Sequence, residues 1–270
     1  MTGGSRRAVV AVIRKDLTAV RRSKAVVIPM LVVPLLLLVV LPLAIGLVAR
    51  SQRNPDVSFY LSRLPEKVVR PILSLPADEQ LVVLVSGYLL APLFLIVPLM
   101  VAAVLAADAF AGEKERRTLE TLLHLPIPDR QLFYAKVLGA FVPAVAVSWM
   151  GFVLFAIVTN TVAWPVTHRI FVPTKLWGVV IVWVGPAVAA LGMGVMVRVS
   201  ARARTAQEAN QLGGAVILPL IFLAVGQSTG LLLVTLPVAF AIGAGVWVVA
   251  LWLIVRGASR FTRDRILSRA

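Results

Sequence analysis

The sequence predicts an all-α membrane protein: six transmembrane helices, an N-terminal amphipathic interfacial helix ahead of the first, and a short cytoplasmic helix between spans two and three. Three observations carry that reading. Of the 270 residues, 60% are hydrophobic and only 14% are charged, whereas soluble domains run near 45–50% apolar and about 25% charged. The apolar residues gather into charge-free runs long enough for a hydrocarbon core about 30 Å thick, which takes roughly 20 helical residues. The runs do not alternate in polarity, as Leu35-Leu36-Leu37-Leu38-Val39-Val40 shows. That argues against the transmembrane β-barrel, the other structure a bilayer permits.

The chain is read as one membrane domain over residues 1–270. In residues 1–24, Val10, Ile13, Leu17 and Val20 recur at helical spacing, while Arg7, Arg14, Lys15, Arg21 and Arg22 group on another face. This describes an amphipathic helix lying in the inner headgroup layer. Plain positive-inside anchoring accounts for the same bases, and a lever that also touches a cytoplasmic partner is compatible with it. The spans are expected at 25–49, 83–107, 134–159, 176–198, 210–226 and 231–255. The last two share one apolar run, Ala209–Val255, which is cut by Gly226-Gln227-Ser228-Thr229-Gly230. The first span is too long for the apolar stretch of a cleaved signal, about 7–15 residues.

Orientation follows from lysine and arginine. Of the 27 basic residues, 20 fall before span one, between spans two and three, between four and five, and after six, with Lys136 and Arg198 at the inner ends of spans three and four counted among them. The positive-inside rule then puts both termini, the 108–130 segment and the 256–270 tail in the cytoplasm. Loops 50–80 and 160–175 face outside. In loop 50–80, Pro65 and Pro76 each open a short helix expected to lie on the membrane surface.

The segment between spans two and three is the most informative. Acidic residues balance basic ones there, unlike a loop that serves topology alone. Glu113 with Arg117, and Arg116 with Glu120, are spaced i,i+4, each pair supporting a helix by roughly 0.2–0.5 kcal/mol. Leu119, Leu122 and Leu123 form a small apolar face. Pro126 and Pro128 stop the helix, and Asp129 can cap the next one. Asp108 and Lys136, at the inner ends of their spans, are expected to face water or snorkel toward it.

Gly112-Glu113-Lys114-Glu115-Arg116-x-Thr118-Leu119-Glu120-x-Leu122-Leu123, followed by Pro126-Ile127 and then Lys136, resembles the cytoplasmic signature of type 2 ATP-binding-cassette (ABC) transporter permeases. The early basic helix with Pro29 and Pro34 after it, the outer loop, the six spans and the ending Arg260-Phe261-Thr262-Arg263-Asp264 suit the same family. The short gap after span five departs from relatives with a longer outer segment there. The resemblance implies a permease subunit of an ATP-driven exporter in the inner membrane. It makes Gly112, Glu113, Lys114, Glu115, Arg116, Thr118, Leu119, Glu120, Leu122 and Leu123 a coupling helix that docks in a groove of a separate ABC ATPase. It makes Arg14, Lys15 and Leu17 part of an interfacial connecting helix. Two ATPase subunits and a second permease, identical or homologous, would complete the assembly.

The rest of the chemistry is read from the residues. No Gly-x-x-x-x-Gly-Lys-Ser/Thr occurs, so these residues hold no phosphate loop, and any ATP would sit on the partner. There is no cysteine and no His-Glu-x-x-His. His124 and His168 are expected on opposite membrane faces, so neither catalysis nor a metal site is expected. The basic excess lies between apolar runs and speaks for membrane lipid, not nucleic acid. No Asp, Glu, Lys or Arg falls well inside a span, which weighs against an ion-coupled carrier. The alternatives are a secondary carrier for an uncharged solute and a non-transporting membrane scaffold or immunity protein.

Nine prolines fall within spans (Pro29, Pro34, Pro42, Pro92, Pro98, Pro143, Pro186, Pro219 and Pro237), as tolerated kinks or as hinges. Gly192-Met193-Gly194 and Gly243-Ala244-Gly245 offer small surfaces for close helix packing. Ser86, Tyr88, Ser148 and Asn210 are the candidate polar groups of a path that suits an amphipathic or lipid-like cargo.

Overall fold

The computed structural model describes residues 11, 14–15, 18, 24–51, 61–62, 66–116, 128–228 and 235–260. All regular structure among the described residues is helical. Helix α1 begins at Lys24 and ends at Ser51, and α2 covers Glu66–Leu73. Helix α3 starts at Ala77 and continues to Glu115, α4 is Asp129–Thr167, and α5 is Lys175–Ser200. Helix α6 is three consecutive pieces, Ala206–Gly213, Gly214–Ile217 and Leu218–Ser228. Helix α7 is Leu236–Arg260.

Among the described residues, five helices are long and apolar enough to cross a membrane: α1, α3, α4, α5 and α7. They fall on the first, second, third, fourth and sixth expected spans. The fifth expected span, 210–226, is helical but not one unbroken helix, because a 3-10 segment at Gly214–Ile217 divides it. Two adjacent glycines, Gly213 and Gly214, stand at the division, and each weakens a helix by about 1 kcal/mol relative to alanine.

Three other boundaries differ from expectation. The second surface helix of the outer loop is instead the first part of α3. Pro76 sets its start, and the apolar residues from Leu81 carry the same helix onward. Helix α4 runs past residue 159 to Thr167, where His168 takes a left-handed conformation (φ 47°) and ends it. The connection between α4 and α5 therefore shrinks to 168–174. Last, residues 108–115 are not a separate helix but the continuation of α3 through a π-turn at Asp108–Gly112.

Packing sorts the helices into two groups. The most apolar stretches of α3 and α5 are 67% and 72% buried, whereas those of α1, α4 and α7 are 17%, 22% and 28% buried. Helices α3 and α5 thus form the centre, and the other three present rows of exposed Leu, Val and Ile such as Leu31, Leu35, Val142, Ile157 and Val248. Lipid tails are as apolar as leucine, so these rows are at rest in a bilayer. Gly192 allows the central contact. A Cβ there would lie 2.9 Å from the Leu99 carbonyl oxygen of α3. Gly194 similarly meets α7 at Leu253, but Gly245 has nothing within 4 Å and takes no part in packing.

The π-turns explain some of the prolines. Leu36–Val40, Val85–Leu89 and Val180–Val184 lie just before Pro42, Pro92 and Pro186. A helical proline cannot donate to the carbonyl four residues back and clashes with it. Those carbonyls belong to Leu38, Tyr88 and Val182, each inside a π-turn, where the wider ladder relieves the clash. The fourth π-turn, Asp108–Gly112, precedes no proline and has a different cause.

At the Glu79 end of α3, side chains staple neighbouring helices together. Arg169 pairs with Glu79 at 2.8 Å, and Arg50 donates to the Val162 carbonyl at 2.9 Å. Asn160 accepts from the Phe171 and Val172 amides and donates to the Val172 carbonyl.

Candidate functional site

The opposite end of α3 carries the charged segment singled out from the sequence. Glu113 sits in its last turn, and its side chain is 2% exposed. One carboxylate oxygen accepts from Lys15 and the other from Lys136, each at 2.5 Å. Lys136 lies in the second turn of α4 with its side chain 0% exposed. It also donates to the Ala109 carbonyl at 2.8 Å, and its ammonium stands 5.8 Å from the centroid of the Phe110 ring. Ala109 belongs to the π-turn Asp108–Gly112. That turn departs from the α-helical ladder where a lysine from another helix takes up a carbonyl, which supplies the cause lacking in proline.

The rest of the segment reaches other elements. Arg116 folds back onto Asp108 at 3.2 Å. Although partial burial disfavours the charge on Arg116, its hydrogen bond to Asp108 and the carboxylates of Asp108, Glu113 and Glu115 together raise its pKa. Gly112 fits between these groups, since a Cβ there would stand 2.9 Å from Asp108 Oδ1 and 3.0 Å from Arg116 Nη2. Lys114 donates to the Ala203 carbonyl at 3.4 Å, and Glu115 accepts from the Ala206 amide at 3.1 Å. Residues 108–116 therefore join four parts of the chain: the N-terminal segment, α3, the start of α4 and the start of α6.

Burial makes this junction unforgiving. Taking two charges out of water costs several kcal/mol each, and their attraction repays it only when geometry and further hydrogen bonds are good. Here Glu113 has two ammonium groups and Lys136 has a carbonyl besides. Removal of Glu113 takes from the buried Lys136 ammonium the carboxylate it bonds. The junction can hold three helix ends in fixed register and pass a displacement among them. No group of three His, Asp or Glu with metal-binding geometry occurs among the described residues.

Of the residues predicted from sequence, Gly112, Glu113, Lys114, Glu115 and Arg116 are brought together here. Thr118, Leu119, Glu120, Leu122 and Leu123 lie outside the described residues, as does Arg117. Glu113 is a buried group bridging to Lys15 and Lys136, where the sequence suggested a surface carboxylate spaced for Arg117. In the interfacial segment, Arg14 and Lys15 are helical and exposed, while Leu17 and the stripe of Val10, Ile13 and Val20 lie outside the described residues. Asp108 and Lys136 do not face water as expected. Protein groups supply their partners, and both are buried.

Sequence reasoning missed the role of Thr205 and Glu208. Thr205 Oγ1 accepts from the Glu208 amide at 3.0 Å, and Glu208 accepts from the Arg204 amide at 2.7 Å. The signal was present as Thr205-x-x-Glu208, the spacing of a capping box. This cap starts α6 beside Glu115. Among the candidate path groups, Ser86 and Ser148 are buried in helix packing. Asn210 lines a cavity of about 200 Å³ between α3, α5 and α6, otherwise walled by apolar residues such as Leu99, Met100, Met196 and Ile217.

The family model described as "ABC-2 family transporter protein" matches residues 10–249. No curated protein matches the chain. The matched range contains the whole junction, from Lys15 to Glu208.

Proposed function

The chain belongs to the ABC-2 family of transporter proteins, and on that premise we propose that it is the membrane-spanning permease subunit of an ATP-driven exporter, coupled through residues 108–130 to a separate ATPase. The family makes it a transport component and not itself an ATPase. The carrying observation is the junction around Glu113. A push on the segment after Glu115 reaches α3, α4, α6 and the N-terminal segment through short polar contacts. In this reading ATP binding draws two ATPase subunits together, and their motion tilts the spans of two paired permeases from inward-open to outward-open. The N-terminal segment acts as the connecting helix, tied by Lys15 to Glu113.

Six crossings would put both termini and residues 108–130 on one side of an inner membrane, and the basic excess of those segments assigns that side to the cytoplasm. Helix α6 makes the fifth crossing as a broken helix. The cavity beside it, apolar with the single amide of Asn210, suits the apolar part of an amphipathic cargo.

Topology provides the test. The chain has no cysteine, so single cysteines can be placed at Ser74, Arg130 and Ser259, all exposed. An impermeant thiol reagent on intact cells is expected to label position 74 alone, and permeabilised cells all three. Labelling of position 130 from outside would remove the coupling role, since an ATPase works from the cytoplasm.

A further inference from the structure

We propose that Arg198, Arg256 and Trp252 form a binding site for the phosphate of an anionic phospholipid, at the end of the bundle that holds Glu113. Arg198 belongs to α5, and the other two belong to α7. The guanidinium carbon of Arg198 stands 4.8 Å from the Trp252 ring centroid, and that of Arg256 stands 5.2 Å from it. No carboxylate among the described residues pairs with either arginine. Because they share one ring, the two cations are no farther apart than about 10 Å, the screening length of 0.1 M salt. Their mutual repulsion is therefore felt, and an anion between them relieves it. Guanidinium groups present forked donors that match a phosphate, and they remain charged at any working pH.

The surroundings select a lipid as the source of that phosphate. Val248, Leu251, Trp252 and Val255 follow i, i+3, i+4, i+7 spacing and are 68%, 52%, 52% and 60% exposed. They make one apolar row on α7 that leads straight to Arg256, a track for an acyl chain below a headgroup. Depth agrees. Arg256 is about 30 Å along α7 from Leu236, the thickness of the hydrocarbon core. The row is in the acyl layer and the arginines are at its edge, where tryptophan also prefers to lie. Gly257 packs against Val197 and Phe133, and Phe133 packs against Phe110. The site is thus at the junction's level. A bound lipid would brace α5 against α7 beside it. The proposal rests on the membrane-crossing helices and is independent of ATP coupling.

The test is native mass spectrometry of the purified chain in mild detergent. It is incubated with equal amounts of phosphatidylglycerol and phosphatidylcholine, and separately with phosphatidylglycerol plus millimolar inorganic phosphate. Wild type is expected to retain phosphatidylglycerol preferentially. Arg198→Gln with Arg256→Gln is expected to lower that retention roughly tenfold or more, while Arg256→Lys keeps part of it. Trp252→Leu, which retains the apolar row and loses the ring that gathers the cations, is expected to fall between. Equal retention of the two lipids by wild type, which requires no variant to fold, would overturn the proposal. So would unchanged phosphatidylglycerol retention in the double variant, or displacement of the lipid by inorganic phosphate.

Discussion

Glu113→Leu is expected to be the most damaging single substitution in the half of the bundle that holds the junction. It leaves the ammonium of Lys136, fully buried, with the Ala109 carbonyl and the Phe110 ring. Breaking a buried pair by removing one member costs about 3–5 kcal/mol. Lys136→Met is expected to cost less, because Glu113 keeps its contact with the half-exposed Lys15. The double variant Glu113→Leu with Lys136→Met places two apolar side chains where the pair was, and such replacements are often close to neutral. Thermal unfolding in detergent should therefore rank the double variant above Glu113→Leu alone. Simple addition of the two single effects would show that the residues do not act as a pair. Transport should fail in Glu113→Leu and in the double variant, since neither fixes the N-terminal segment to α3 through Glu113, and should fall in Lys136→Met, which loses the tie from Glu113 to α4.

Leu122→Asp is expected to abolish stable association with the ATPase while the chain still inserts. A docked helix buries part of its apolar face, and burying one leucine is worth roughly 1.5–3 kcal/mol. Replacement by aspartate loses that and adds the cost of a desolvated charge. The combined loss corresponds to a fall in affinity of about a hundredfold or more, since each 1.4 kcal/mol is about tenfold. Leu119→Asp should act in the same direction. Charge reversals at exposed positions of the segment should matter much less, because exposed ion pairs contribute about 0–1 kcal/mol. Pulldown of the ATPase from membranes that contain equal amounts of each variant measures this. Retention of the ATPase by both leucine variants would reduce residues 117–127 to a connector.

Much of this was legible in the sequence because a bilayer simplifies the code. Five helices long and apolar enough to cross a membrane stand where charge-free runs predicted spans. What escaped was set by contacts between distant residues. The break in α6 is written locally as Gly213-Gly214, but apolar content masks it. The burial of Glu113 was not visible, since spacing offers Arg117 as a neighbour, while the observed partners are Lys15 and Lys136, separated from it by 98 and 23 positions. Lys136 looked like a snorkelling lysine for the same reason. A charge near a helix end reads as exposed until the helix that covers it is known. The π-turn at Asp108–Gly112 lacks a proline to announce it and follows from the lysine that takes the Ala109 carbonyl. The Thr205-x-x-Glu208 cap was readable, and only its nearness to Glu115 depended on the fold.

The central claim is that the segment following Glu115 is where a separate ATPase takes hold of this chain. A photoreactive amino acid at Thr121, in cells that also express the ATPase, tests it directly. Irradiation is expected to give one adduct of the chain with the ATPase, and Leu122→Asp in the same background should remove it. A probe at Trp149, exposed on the lipid-facing side of α4, should give none. Failure of the Thr121 probe to capture an ATPase that still co-purifies with the chain would contradict the account, because the two subunits would then be joined elsewhere.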